Sequence, residues 1–385
     1  MVSKPATVVV KWGLEASPTG RVKGRARSAT VVYQLELAGE DDALARREAA
    51  SAARGVEPLA PGLATARALS DRAVGLALTH RASALLGTTD ADRESGRALL
   101  DAASLDRSGT VAVRARDVRG LTGVDTQAVE RALGQVLVDR GFAVDLDDPD
   151  HVLRAVFSGT AGSAADGPTA ESRAESVCAL GWLAAESVRD FGTRKPTDRP
   201  FFQPGSMDPL LARALANVAG ARPGRTILDP MCGTGGVLVE AGLVGADVLG
   251  VDAQRKMATG AATNLDRYLG TVDDAASTAD SLPAPGRAHT MQGDATALPL
   301  PDDAVDGVVF DAPYGRQSKI ANQPLSELVA GALAEANRVA PRAVVVADRP
   351  WGDAARAAGW RVTERFERRV HRSLTRHLLV LAREA

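Results

Sequence analysis

The residues best suited to chemistry lie in the second half of the chain, at the ends of short apolar runs. In TILDPMCGTGGVLVEAG a β-rich run ends at Asp229, and a turn holding Gly233, Gly235 and Gly236 leads into a helical pattern. Glycines let the backbone turn tightly and remove the Cβ atoms that would keep a ligand at a distance. The spacing G-T-G-G fits neither the dinucleotide fingerprint G-x-G-x-x-G nor a P-loop, whose lysine is missing, so neither NAD nor ATP is implied. DVLGVD then brings Asp252 to a second strand end, about 19 residues beyond Gly233, where a carboxylate can accept two hydrogen bonds from a ribose diol. HTMQGDA puts Asp294 at a third, within reach of an adenine amino group. Each acid alone is also an ordinary strand-end turn residue. In register behind a glycine turn, the three together describe a nucleoside pocket.

A fourth strand end carries VDGVVFDAPYGRQSK, with Asp311, Pro313 and Tyr314 close together. An acid, a rigid proline and an aromatic ring form a planar clamp suited to the exocyclic amine of a nucleobase. The ring stacks on the base while Asp311 and nearby carbonyls accept its N–H groups, which frees the nitrogen lone pair to attack a sulfonium methyl. A plain turn before a helix would use the same residue types. Cys232 has no histidine or other base beside it and reads as a small residue in the glycine turn. The five histidines show no metal-ligand spacing, so no metal is expected.

These residues need elements to hold them. TILD, DVLGVD, HTMQGD, VDGVVFD and RAVVVAD are nearly continuous apolar runs, as expected of strands buried on both faces of a parallel sheet wrapped by helices, with the site at their carboxyl ends. WRVTERFERRV and TRHLLVLAR, separated by a short HRSL, predict a closing antiparallel pair. The first half alternates TVVVKW, ATVVYQLEL and TVAVRARDV with amphipathic stretches. From Asp125 to Gly141, Val129, Leu133, Val136 and Leu137 fall at i, i+4, i+7 and i+8, which predicts a one-faced helix capped by Asp125 and Gly141. VLRAVFS follows, so small antiparallel sheets covered by helices are expected here. GTAGSAADGPTAES reads as a loop or linker tip, and RDFGTRKPTDRPFFQPGSM, from Arg189 to Met207, marks a second boundary.

Composition bounds the rest. The 385 residues are too many for one ordinary core, so two or three domains are expected. The 46 basic and 48 acidic residues nearly cancel, which excludes a globally polyanion-seeking surface and leaves any nucleic acid to local patches. Two cysteines rule out a disulfide framework, and no run approaches the roughly 20 apolar residues of a membrane span. A soluble, cytoplasmic protein with no membrane partner is expected. Seven arginines between Arg361 and Arg383 make a local cationic patch suited to a phosphate backbone, unless Glu364 and Glu367 pair with them.

The ordered set DPMCGTGG, GVDA, GDA and DAPYG resembles the S-adenosylmethionine-dependent methyltransferases of base amino groups, with Ala312 at the first proline position of their acid-Pro-Pro-aromatic signature. RPFFQPGSMDPLLARALANVAG and RVHRSLTRHLLVL narrow the likeness to the archaeal tRNA guanine-10 N2-methyltransferases. This resemblance implies an α/β fold with a Rossmann-like methyltransferase domain and a mostly parallel seven-stranded sheet over residues 208–385. An α+β ferredoxin-like region (1–60), a THUMP RNA-binding domain (61–188) and a linker at the cofactor-pocket entry (189–207) would precede it. The implied activity is one or two in-line methyl transfers from S-adenosylmethionine to the N2 amine of a tRNA guanine. Asp229, Pro230, Cys232, Gly233, Thr234 and Gly235 would border the methionine part of the cofactor, Asp252 and Ala253 its ribose, and Asp294 and Ala295 its adenine. Phe202, Pro204, Gly205 and Ser206 would line the pocket from upstream, and Asp311, Pro313 and Tyr314 would hold the guanine. Arg194, Lys195, Arg199, Arg316, Arg372 and Arg376 are the expected RNA contacts, and a monomer is expected. Another nucleic-acid amino-methyltransferase, acting on N6 of adenine in DNA or on N2 of a guanine in another RNA, and a catalytically weak tRNA-binding factor are the competing expectations.

Overall fold

The computed structural model describes residues 31–39, 41–159, 176–270, 281–313, 324–371 and 374–384. It gathers into two compact units, one of residues up to 34, 59–61 and 83–183, the other of 35–58, 62–82 and 184–385. TVVVKW and most of GTAGSAADGPTAES fall outside the described residues.

In the first unit the expected helix runs Thr126–Asp139 and buries Val129, Leu133, Val136 and Leu137. The Asp125 carboxylate accepts the Ala128 N–H at 3.0 Å, and Gly141 takes a left-handed φ of 90°. The helix connects strand Thr110–Asp117 to strand His151–Ser158, and the two pair in parallel. That corrects the all-antiparallel expectation, because a crossover helix returns the chain to the same end of the sheet. Strand Val177–Glu186 then pairs antiparallel with His151–Ser158 through residues 177–182. Leu100, Leu133, Phe157 and Trp182 fill the core between sheet and helices.

The second unit holds the site. Its sheet has strands β1 (Thr226–Asp229), β2 (Asp247–Asp252), β3 (Ala288–Gln292), β4 (Gly307–Asp311), β5 (Arg342–Ala347), β6 (Trp360–His371) and β7 (Leu374–Arg383), in the order β3-β2-β1-β4-β5-β7-β6. The first five are parallel, whereas β7 runs antiparallel between β5 and β6. Helices α1 (Pro209–Ala219), α2 (Gly236–Leu243), α3 (Arg255–Leu269), α4 (Leu325–Val339) and α5 (Gly352–Ala357) accompany it. The fold is α/β with a Rossmann-like, mostly parallel seven-stranded sheet. Apolar runs such as Val308–Phe310 and Ala343–Ala347 are buried because residues on both faces of these strands meet packed layers. Val308, Phe310, Val345, Leu333 and Trp360 belong to one core.

Local sequence sets each turn. Asp208 caps α1, its carboxylate accepting the Leu210 N–H at 3.0 Å. Pro209 supplies a fixed φ at the first turn, and Gly220 ends the helix with φ 100°. The upstream helix Asp42–Ala49 joins this unit through Glu48, whose buried carboxylate accepts N–H bonds from Ala77, Leu78 and the Asn217 side chain at 2.6–2.7 Å. No helix among the described residues is long and apolar enough to cross a membrane.

Candidate active site

The glycine turn after β1 is tied to the end of β2. Cys232 N–H donates to Val251 C=O at 2.9 Å, and Gly233 N–H to Asp252 Oδ2 at 3.0 Å. The other oxygen of Asp252 accepts from Gln254 N–H at 2.8 Å, so the carboxylate is fixed across two strand ends. Gly233 and Gly235 both have positive φ, 52° and 74°. A Cβ on Gly235 would press on Ala261 of α3 at 3.1 Å, whereas one on Gly233 would meet nothing within 4 Å. The turn is therefore packed behind and open in front, which is the form of a backbone cradle for a ligand.

Carboxylates gather at these strand ends. Asp229 is 3% exposed, and its Oδ1 accepts the Met231 N–H at 3.0 Å. Burial pushes its carboxyl well above the usual range, and the nearby charges of Asp252 and Asp311 push the same way. Burial also raises Asp252, against the pull of its two backbone donors. The same surroundings raise the Cys232 thiol, which removes it as a nucleophile at neutral pH. A pocket this rich in acid suits a cationic ligand.

The segment 201–206 forms a strap over the turn. Asn264 of α3 is buried; its side-chain oxygen accepts the Phe201 N–H at 2.9 Å, and its amide nitrogen donates to Phe201 C=O and Thr234 C=O, both at 2.8 Å. Ser206 Oγ lies 3.1 Å from Thr234 Oγ1, a second tie to the glycine turn. Phe202, Pro204 and Gly205 stay exposed above it.

On the far side, Asp311 ends β4 with its carboxylate partly open. Arg376 of β7 reaches it, with Nη2 3.7 Å from Oδ2. Ala312 is buried and donates its N–H to Val346 C=O at 2.7 Å, continuing the β4–β5 ladder by one residue. A proline there would lack that donor, so Ala312 makes a ladder bond that two consecutive prolines would forgo. Pro313 is half-buried, and Tyr314 lies outside the described residues. Asp294 is exposed, its Oδ1 accepting the N–H and hydroxyl of Thr296, both at 2.8 Å, while Ala295 sinks into the core.

Comparison with known proteins fits this geometry. Residues 196–378 match the family UPF0020, described as RMKL-like, methyltransferase domain. A tRNA (guanine(10)-N2)-dimethyltransferase of Methanothermobacter thermautotrophicus is 34% identical over 318 residues, covering 80% of this chain and 83% of that one. Its counterpart from Pyrococcus abyssi is 30% identical, covering 80% and 84%. The chain belongs to the tRNA (guanine(10)-N2)-dimethyltransferase family. Among solved structures, TrmN from Thermus thermophilus aligns with a TM-score of 0.45 and 22% identity over 92% of this chain and all of that one.

Of the residues expected to hold the cofactor of a tRNA (guanine(10)-N2)-dimethyltransferase, Asp229, Pro230, Cys232, Gly233, Thr234, Gly235, Asp252 and Ala253 are brought together at adjoining strand ends, with Asp311 one strand away. Several expected RNA contacts are not surface groups. Arg194 is 3% exposed, held by Asp190 at 2.7 Å and by Glu240 of α2 at 2.8 Å. Arg199 is 4% exposed and packs on Gly236, its Nε donating to Arg194 C=O at 3.3 Å. Arg376 is 6% exposed beneath the strap. These three are corrections: paired or buried guanidinium groups inside the unit cannot track a phosphate backbone. Lys195 is exposed, and Arg316 and Arg372 lie outside the described residues. Sequence reasoning missed Asn264 and Glu240, since a polar residue in a helical pattern gives no sign of which loop it will meet. The arginines of β6 do face solvent: Arg361, Arg365, Arg368 and Arg369 are exposed and form no ion pair among the described residues. The two glutamates beside them pair elsewhere, Glu364 with Arg47 at 2.8 Å and Glu367 with His377 at 3.2 Å.

Proposed function

We propose that this chain dimethylates the N2 amine of guanine 10 in tRNA, using S-adenosylmethionine. The observation that carries this reading is the meeting of Asp229, Asp252 and Asp311 around a glycine turn open at Gly233. The residues fit the cofactor: an unobstructed backbone for the amino-acid part, a fixed carboxylate on β2 for the ribose diol, and an acidic wall for a sulfonium cation. Asp229, Pro230, Cys232, Gly233, Thr234 and Gly235 would border the methionine end, Asp252 and Ala253 the ribose, and Asp294 and Ala295 the adenine. Phe202, Pro204, Gly205 and Ser206 close the pocket as a strap. S-adenosylmethionine supplies an electrophilic methyl group.

The chain's own work is on the acceptor side. Asp311 accepts an N–H of the amine, Pro313 fixes the turn and Tyr314 stacks on the base, so the nitrogen lone pair is turned out of the ring and held in place. The proton lost from nitrogen passes to Asp311 or to water. A guanine within folded tRNA must be splayed out to reach this depth. The exposed arginines of β6 and Lys195 supply phosphate contacts, with Arg316 and Arg372 as further candidates. A ferredoxin-like region (1–60) and a THUMP domain (61–188) would grip the tRNA and set which guanine arrives. The protein is expected to act as a cytoplasmic monomer.

Incubating the protein with unmodified tRNA transcript and the cofactor, then mapping the product by mass, tests this. Two added methyls on guanine 10 are expected. Methylation of adenine in duplex DNA with none on tRNA would overturn the substrate, and full activity in Asp311→Ala would overturn the role of that acid.

A further inference from the structure

Arg376 has an unusual placement for a residue in a cationic C-terminal patch. It sits near the start of β7, which runs antiparallel and therefore begins where the parallel strands end: His377 lies opposite Ala347, the last residue of β5. This register delivers a buried guanidinium to the carboxyl ends of the sheet. Its Nη2 lies 3.7 Å from Asp311 Oδ2 and 3.5 Å from the carbonyl oxygen of Gly205 in the strap. One side chain thus touches the acid assigned to the base amine and the segment assigned to the cofactor's cover. Asp311 also lies close enough to Asp229 for their charges to interact, so the guanidinium sits where acids from adjoining strand ends converge.

We infer that Arg376 is a positioning residue that fixes the Asp311 carboxylate and thereby sets how far the amine is methylated. The inference rests on the proposed reading of this site as an N2-guanine methyltransferase. An unmodified amine presents two N–H groups, and either can engage the carboxylate. After one transfer, a single N–H remains beside a methyl group, so the direction of the lone pair depends on that one hydrogen bond. A carboxylate held less firmly penalises the second transfer more than the first. Through Gly205, the same guanidinium keeps the strap in register with the acceptor side.

Time courses on unmodified tRNA transcript with wild type, Arg376→Gln and Arg376→Lys, separating mono- from dimethylguanosine by mass, test this directly. Arg376→Gln is expected to lower the rate of the second transfer relative to the first by about tenfold, so that monomethyl product accumulates. Arg376→Lys, which keeps the charge, should recover part of the ratio. Binding of S-adenosylhomocysteine by calorimetry should change less than about threefold in the lysine variant, which separates positioning from misfolding. In an Asp311→Asn background, adding Arg376→Gln should change the product ratio no further, because the arginine acts through that acid. An active wild type whose Arg376 variants keep the wild-type ratio overturns the inference and leaves the proposed function standing. A wild type that methylates no tRNA guanine removes both.

Discussion

The arginines of the strap region and those of β6 have the same side chain and opposite surroundings. Arg194 and Arg199 are enclosed, with Arg194 joined to Glu240, which Arg213 of α1 also reaches at 2.6 Å. The ring of Phe191 lies 5.4–5.8 Å from the guanidinium groups of Arg189, Arg194 and Arg213. On β6, Arg361, Arg365, Arg368 and Arg369 stand in solvent with no partner acid among the described residues. The first set joins the strap's base to the helix that follows the glycine turn. The second leaves net positive charge at the surface. A planar, permanently charged group with five donors serves both uses, and its setting decides which.

The difference predicts distinct losses. Glu240→Ala strands Arg194 and Arg213 without their buried acid and is expected to cost about 3–5 kcal/mol of stability, measured by denaturant unfolding. An unfolding midpoint close to wild type would show that the cluster is not what holds the strap. Arg368→Gln with Arg369→Gln should leave folding unchanged but weaken tRNA binding about tenfold, and reduce the slope of log affinity against log salt by roughly 1.5–2. An unaltered slope would remove β6 from the RNA surface.

Asp229→Asn probes a buried carboxyl group with no cation beside it among the described residues. Burial raises the folded pKa of Asp229, so the folded chain holds that proton more tightly than the unfolded one. Its contribution to stability is therefore lost as pH climbs from the ordinary carboxylate range through the raised value. The cofactor-free Asn variant should gain melting temperature relative to wild type over that window, and a pH-independent difference would falsify the assignment. The smallest effect is expected at the surface pair of Arg225 and Asp306: Asp306→Asn should cost about 0–1 kcal/mol, diminishing with added salt.

The cluster at the strand ends was legible in the chain because its logic is local. A glycine turn and a strand-end acid each announce a backbone conformation, and Asp229, Gly233, Gly235 and Asp252 stand where the apolar runs stop. The same locality identified the Thr126–Asp139 helix from its apolar spacing. The arginines were not legible, since a formal charge carries no information on burial. Arg194 meets Glu240 across 46 residues and Arg376 meets Gly205 across 171, distances over which periodicity says nothing. Ala312 stands at the first proline position of the signature, and the hydrogen bond that it donates to a neighbouring strand could not be read from the chain. The parallel pairing of strands Thr110–Asp117 and His151–Ser158 escaped for the same cause: it depends on where a helix returns the chain.

The placement of β7 between β5 and β6 has a consequence for biosynthesis. On the ribosome, β6 emerges before β7, yet it cannot dock until β7 has filled the gap beside β5. A nascent chain that stops short of residue 374 can possess its glycine turn and its acids and still lack the arginine that bridges Asp311 to the strap. The contact between Asp311 and the strap is therefore among the last that this sheet can form, because it waits on the strand that is inserted last.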